Sequence, residues 1–263
     1  MSIRFENVSK SFRADDQDRT VLHDVSFEVQ TGEILFILGK SGVGKSVTLK
    51  HIIGMIKPDS GRIQVDHFDV TKLFDRPDDE LGFPLLRRRC GMVFQHPALL
   101  DSLTVFENIA FGLRNRPEFS ESEIRRIVHE KMELVHLEDE ILKLFPSDIS
   151  YGMQKRVSIA RTLAPAPSYL LFDEPTTGLD PVSTNQINNL ILELSRALKV
   201  TSVVVSHDMG CALRIADRIL VLDQSRILAL GNVDEIKRSE EPLIRDFLAE
   251  TLGDDFTKPS RSP

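Results

Sequence analysis

A chain of 263 residues with 41% hydrophobic and 28% charged side chains is long enough to bury the core of one large α/β domain, or of a domain with a lobe. Its formal net charge of −7 argues against nucleic acid or bare anionic membrane as the main partner, and its cysteines, Cys90 and Cys211, lack the spacing of a disulfide framework or zinc site and fit a reducing compartment. No apolar run approaches the roughly 18 residues that cross a bilayer, and "MSIRFENVSK" carries charge where a signal peptide would be apolar, so the chain is expected to stay in the cytosol.

From the N-terminus, Ile3 and Phe5, then Val25, Phe27 and Val29, alternate with polar residues and predict a small antiparallel sheet. Ile34 to Leu38 is a continuous apolar run, the pattern of a strand covered on both faces in a parallel sheet. It leads into "GKSGVGKS", comprising Gly39, Lys40, Ser41, Gly42, Val43, Gly44, Lys45 and Ser46, which opens a helix through Leu49 and Ile52. This is GxxxxGK[ST] in the strand–loop–helix setting that the motif requires. Gly39 and Gly44 allow the tight backbone whose N–H groups surround a β-phosphate, Lys45 supplies a point charge to the β and γ oxygens, and Ser46 can ligate Mg²⁺. The plainer alternative, a glycine-rich turn with a surface lysine, does not account for the strand before it and the helix after it.

Arg87 to Arg89 form a basic run without interleaved aromatics and read as solvated or structural. Beyond Gln95, in "VFQHP", the strand signal stops until about Pro165, and a helical lobe over about 96–165 is predicted. Thr104 with Glu107 and Ser120 with Glu123 stand at capping-box spacing. The Gln95 amide could reach a metal ion or a water, or be hydrogen-bonded to the loop backbone. Ala98, Leu99, Leu100, Leu103 and Val105 follow it, either as lobe core or as part of a dock for a partner. In "ISYGMQKRV", Ser150 precedes a helix with Val157, Ile159, Ala160 and Leu163 on its apolar side. That serine reads as an ordinary N-cap or, with Gly152, as one wall of an anion site at a helix start. Such a terminus contributes only about 0.3 to 1 kcal/mol with a charge, so a phosphate there must be held by another element.

Tyr169 to Phe172 run straight into Asp173 and Glu174, at the carboxyl end of a predicted parallel strand. There Asp173 can hold Mg²⁺ through water and Glu174 can orient and deprotonate an attacking water; the plainer alternative is that both are solvated carboxylates at a strand end. Pro181 suits the first turn of a helix carrying Ile187, Leu190, Ile191 and Leu194. Val203 to Val205 form another buried strand, which brings His207 to the ligand edge of the sheet, where it serves the γ-phosphate or the fold. Ile219 to Leu222 complete the strand series, and Leu243, Ile244, Phe247 and Leu248 mark a last helix. Residues 252–263 have too little apolar material to pack and are expected to form a mobile tail after a domain spanning 1–251.

Together these residues resemble the nucleotide-binding subunit of ABC transporters over nearly the whole chain. In that resemblance "GKSGVGKS" is the Walker A, Gln95 the Q-loop, "SYGM" the signature, Asp173 and Glu174 the Walker B with its base, Asp180 the D-loop and His207 the switch histidine. Phe12 resembles the aromatic that stacks on adenine, or else packs the small sheet. The resemblance implies an α/β P-loop NTPase fold with a mostly parallel core sheet, a small N-terminal antiparallel β subdomain and an inserted α-helical lobe. It also implies ATP hydrolysis with Mg²⁺ and a head-to-tail dimer in which Ser150 and Gly152 meet a nucleotide gripped by the second copy. A membrane permease would hold that dimer on the inner face of the cell membrane.

Tyr151 and Met153 depart from the common LSGGQ spelling. The wording "S-x-G-M-x-K-R", with "FQHPALLDSLTVFENIAFGL" and "EEPLIRDFL", is most similar to the ATPases of Mla-type and MCE-linked phospholipid transport. Those systems add an MCE-domain lipid-binding protein and often a STAS-domain subunit. The alternatives are the ATPase of a small-solute importer of amino acid type and a non-transport ABC ATPase such as an iron–sulfur assembly partner.

Overall fold

A computed structural model describes residues 2–14, 17–76 and 78–252. In chain order the first elements are β1 (Ile3–Ala14), β2 (Gln17–Val29), β3 (Ile34–Leu38), α1 (Lys45–Ile52), β4 (Ser60–Val65), β5 (Phe68–Asp69), α2 (Val70–Leu73) and α3 (Gly82–Arg89). Then come β6 (Cys90–Val93), α4 (Val105–Arg114), α5 (Glu121–Leu134), α6 (Tyr151–Leu163), β7 (Tyr169–Asp173) and α7 (Pro181–Leu198). The chain closes with β8 (Thr201–Ser206), α8 (Met209–Ile215), β9 (Arg218–Asp223), β10 (Arg226–Asn232), α9 (Val233–Lys237) and α10 (Pro242–Leu252). Two compact units result, Met1–Phe83 with Thr201–Pro263, and Pro84–Val200.

In the first unit β2, β1, β4 and β5 form an antiparallel sheet in that order. Phe5 lies opposite Phe27, their rings stacked with centroids 4.6 Å apart, and Ile3, Val25, Val29, Ile63 and Val65 are buried beside them. Asn7 and Asp24 both take positive φ, and the Asn7 amide nitrogen donates to Asp24 Oδ1 at 2.8 Å. The β1–β2 register shifts between Phe5 and Val8, so the apolar side chains keep facing inward after the irregularity.

The same unit holds β3, parallel to both β8 and β9, with β10 antiparallel to β9. Every residue of β3 and of β8 is buried; β3 is continuously apolar for that reason, and so is the Val203–Val205 centre of β8, whose ends Thr201, Ser202 and Ser206 are buried polar residues. Gln224 and Ser225, both at positive φ, make the two-residue turn of the β9–β10 hairpin, whose twist suits the strands.

One buried group sits on α1 without full compensation. His51 is wholly buried, its Nδ1 donating to the Val47 carbonyl at 2.7 Å, while Nε2 finds no hydrogen-bond partner among the described residues. Burial pushes its pKa below the ordinary imidazole value. The unfolded chain therefore takes up this proton more readily than the folded one, so the contribution to stability is complete above the unfolded value and falls as the pH drops through it. His51→Leu is expected to gain about 1 kcal/mol of stability at pH 7.5 from removal of the unsatisfied atom, read as a higher urea midpoint, and to lose less stability between pH 7.5 and 5.5. A variant with the same pH response as the native chain would rule out this histidine as the source.

In the second unit β6 and β7 pair in parallel, and α4 packs on α5 and α6. Between 96 and 165 the chain carries α4, α5, two short 3₁₀ turns and α6, with no strand. Both expected capping boxes are present, Thr104 with Glu107 on α4 and Ser120 with Glu123 on α5. The predicted last helix is α10, with Ile244 and Leu248 buried. Leu252 still belongs to it, one residue into the expected tail, and the remainder of that tail lies outside the described residues. No helix among the described residues is long and apolar enough to cross a membrane. Among the described residues neither Cys90 nor Cys211 is in a disulfide, and Cys211 Sγ donates to Asp208 Oδ2 at 3.0 Å.

Candidate nucleotide site

The loop Gly39–Gly44 leaves the buried strand β3 and closes on α1. A Cβ on Gly39 would lie 2.5 Å from the Leu222 carbonyl oxygen and 2.7 Å from Val43 Cγ2. One on Gly44, at φ +111°, would lie 2.6 Å from the Val21 carbonyl oxygen. Only glycine fits either position, so the backbone itself lines the turn. Lys40, Ser41 and Gly42 are exposed, Val43 and Ser46 are half-buried, and Lys45 is buried. Lys45 Nζ donates to the carbonyls of Gly39 at 2.7 Å and Lys40 at 3.2 Å, which holds the ammonium against the loop. Gly44 offers no side-chain cap to α1 and the first turn has no acidic residue, so the positive end of the helix dipole favours an anion there. Phe12, on β1 of the same unit, is 39% exposed and lies opposite Arg19, with Lys10 Nζ 5.4 Å from its ring centroid. Arg19 reaches the loop, its Nη2 lying 3.2 Å from where a Gly42 Cβ would stand. His207 follows β8 directly and is exposed, while Asp208 caps α8 by accepting from the Cys211 N–H at 3.0 Å.

The second unit carries Asp173 and Glu174. β7 is buried at all five positions and ends on Asp173, itself 8% exposed. Glu174 follows at φ +46°, a left-handed conformation unusual for a residue with a long side chain. Asp180 caps α7, accepting from the N–H groups of Val182 at 2.9 Å and Ser183 at 3.0 Å, and these bonds with the Ser183 hydroxyl hold its carboxyl below the usual range. Ser150 caps α6, accepting from the Met153 N–H at 3.3 Å, while a Cβ on Gly152 would meet nothing nearer than Ser183 Oγ at 3.9 Å. The local role of both Asp180 and Ser150 is thus that of a helix cap.

Gln95, two residues past β6, is exposed, and its backbone carbonyl accepts from Lys155 Nζ. Lys155, which enters the sequence analysis only as part of the signature wording, is 1% exposed, and burial pushes its ammonium down to about 8. Tyr151, the departure from the common signature, places its hydroxyl 3.4 Å from His96 Nδ1 and its ring 3.4 Å from a Gly178 Cβ position. A signal for Lys155 did exist, since it stands one helical turn after Tyr151 on the side of α6 that carries Ser158 and Thr162.

A glycine cradle, a buried lysine held at its mouth and an uncapped helix start fit a nucleotide's phosphates. Mg²⁺ keeps several waters and takes few protein oxygens besides phosphate, and the Ser46 hydroxyl, the Asp173 carboxylate and the Gln95 amide oxygen are donors of that hard type.

Residues 22–177 match the ABC transporter family, and the chain belongs to that family as an ATP-binding subunit. It is an ATPase that works on ATP with Mg²⁺. Among its relatives are the methionine import ATP-binding protein MetN of Haemophilus influenzae strain 86-028NP, 37% identical over 251 residues (95% of this chain, 71% of MetN). The intermembrane phospholipid transport system ATP-binding protein MlaF of Haemophilus influenzae strain KW20 is 38% identical over 231 residues (88% of this chain, 85% of MlaF). The fold is that of the ATP-binding cassette MJ0796, whose dimeric post-hydrolysis state was solved with ADP and Pi, at TM-score 0.79 and 32% identity, covering 88% of this chain and 98% of that one.

Proposed function

We propose that this subunit powers phospholipid transport in an MCE-linked system. The observation that carries the proposal is the signature wording "SYGMQKR" from Ser150 to Arg156, supported by the similarity to MlaF. Two copies pair head to tail, each ATP lying between the loop of one chain and Ser150 and Gly152 of the other. The dimer sits on the inner face of the membrane through its permease, together with an MCE-domain lipid-binding protein and a STAS-domain subunit. In this reading the ATP-binding domain spans 1–251, and residues 96–165 are its helical lobe.

The residues divide the work as follows. Phe12 stacks on adenine. The backbone from Gly39 to Gly44 and the Lys45 ammonium hold the phosphates, and Asp180 supports the dimer contact. Ser46, Gln95 and Asp173 would hold Mg²⁺, which when bound neutralises charge developing on the phosphate oxygens. Glu174 accepts the proton of the attacking water, Gln95 orients that water, and His207 contacts the γ-phosphate.

A second reading, the ATPase of an amino acid importer, is favoured by the MetN relatives at equal identity. Purifying the chain with its membrane partners separates the two. A permease accompanied by an MCE-domain protein is the expected result, and a permease accompanied by a periplasmic solute-binding protein would overturn it.

The permease is expected to dock beside Gln95. Val105 is fully buried and belongs to the core, whereas Leu100 is 38% and Phe111 50% exposed. Asn108 fixes the backbone under Leu100, accepting from its N–H at 2.8 Å and donating to its carbonyl at 3.1 Å, so the Leu100 side chain is free to change. Leu100→Asp is expected to lose copurification with the permease while the isolated chain keeps its ATPase rate. Retained copurification by the folded variant counts against the dock.

A further inference from the structure

One side of α6 is fastened to the segment that carries Gln95, and most of the bonds land on backbone. Thr162 Oγ1 donates to the Ser158 carbonyl at 2.8 Å within α6 and lies 3.4 Å from the carbonyl of Met92, still inside β6. Lys155 Nζ donates to the Gln95 carbonyl. The Tyr151 hydroxyl meets His96 Nδ1 at 3.4 Å, and Arg161 Nη1 donates to the Ala98 carbonyl at 2.9 Å. Three side chains of one helix, Tyr151, Lys155 and Arg161, therefore hold a stretch that has left its strand and has not yet entered α4. Lys155 is central among them. It is 1% exposed, although a lysine ordinarily keeps its ammonium in water, and its Nζ lies 5.6 Å from the Tyr151 ring centroid. Burying an ammonium is costly unless it is hydrogen-bonded, and the bond to the Gln95 carbonyl offsets part of that cost. The helix so fastened is the one whose N-cap is Ser150.

We propose that Lys155 is a positioning residue for ATP hydrolysis: it fixes the Gln95 backbone to the signature helix, so that Gln95 and Ser150 move as one body. The proposal rests on the reading of Gln95 as a residue of the hydrolytic site. Under it, displacement of the Gln95 segment by a partner is carried into Ser150 through a side-chain strap rather than along the chain between them. Losing the strap leaves the nucleotide grip of the Gly39–Gly44 loop untouched and lets the Gln95 amide wander from its target.

The test compares Lys155→Met, Lys155→Arg, Gln95→Ala and the double variant Lys155→Met/Gln95→Ala in the full chain. Steady-state ATPase kinetics are read beside hydrogen exchange of the backbone amides over 94–98. Lys155→Met is expected to lower kcat about tenfold, the scale of one charged hydrogen bond, with KM for ATP within about twofold and faster exchange over 94–98. Lys155→Arg, which keeps a cationic donor, is expected to recover most of the rate. In the Gln95→Ala background the Lys155→Met change should be nearly silent, because the group it positions is gone. A folded Lys155→Met chain with native kcat, or the same tenfold loss whether or not Gln95 is present, overturns the strap while leaving Gln95 in the site. Native turnover in Gln95→Ala points elsewhere: the reading of Gln95 itself fails, and the strap fails with it. Should Lys155→Met not fold, Lys155→Gln, polar but shorter, serves in the same comparison.

Discussion

Glu174→Gln is expected to bind ATP as the native chain does and to hydrolyse it about 10² to 10⁴ times more slowly, the range assigned to loss of a general base. The amide has the shape of the carboxylate but cannot take the proton of an attacking water, so binding and chemistry separate. Because Glu174 stands at φ +46° at the end of a fully buried strand, a replacement of equal length leaves the backbone demand unchanged. With ATP bound and not consumed, the two copies should remain closed, and gel filtration with ATP should show the dimer persisting in the variant. Single-turnover hydrolysis gives the rate directly. A native rate would discard Glu174 as the base.

The second large effect concerns where Ser150 acts. Lys45→Ala is expected to weaken ATP binding by at least about tenfold if the buried Lys45 ammonium is, as proposed, a charged donor to phosphate. Ser150→Arg is expected to be inactive as well, because a bulky cation replaces the small cap at the start of α6. If each ATP lies between the Walker A of one chain and the signature of the other, a mixed dimer of these two variants contains one site with both lesions and one with neither. Mixing should restore part of the ATPase activity, most near an equal ratio, with ATP trapped in the mixed dimer measured beside turnover. If Ser150 serves its own chain's nucleotide, every site carries a lesion and nothing returns. No recovery, with mixed dimers shown to form, would leave Ser150 as the helix cap that its bond to Met153 already makes it.

Much of this was legible in the sequence for identifiable reasons. Strands buried on both faces favour apolar side chains at consecutive positions, so Ile34–Leu38 in β3, Tyr169–Phe172 in β7 and Val203–Val205 in β8 announce themselves as unbroken runs. The Gly39–Gly44 loop was legible because close backbone approach leaves no choice but glycine at two of its positions. Capping boxes are local, and Thr104 and Ser120 were readable from residues three positions away.

What escaped was non-local or broke an ordinary preference. The Asn7–Asp24 bond couples irregularities in two strands, and neither residue names its partner. The short helices α2 and α3 lie in a stretch with little apolar periodicity, including "GFPLLRRR". The β9–β10 turn uses Gln224 and Ser225 at positive φ where a glycine or asparagine would have been the signal. Lys155 escaped because burial of a lysine is decided by a carbonyl sixty residues earlier in the chain.

The left-handed backbone at Glu174 has an evolutionary consequence. A side chain with a Cβ held there costs on the order of 1 kcal/mol, and glycine or asparagine would relieve it. With Glu174 as the base, selection for turnover and drift toward a more stable fold pull this codon in opposite directions. A lineage that keeps the cassette as a nucleotide-sensing clamp and abandons hydrolysis has a thermodynamic incentive to surrender this residue before the glycines of the phosphate loop. Those glycines, by contrast, stay constrained by space alone, whatever chemistry the descendants retain.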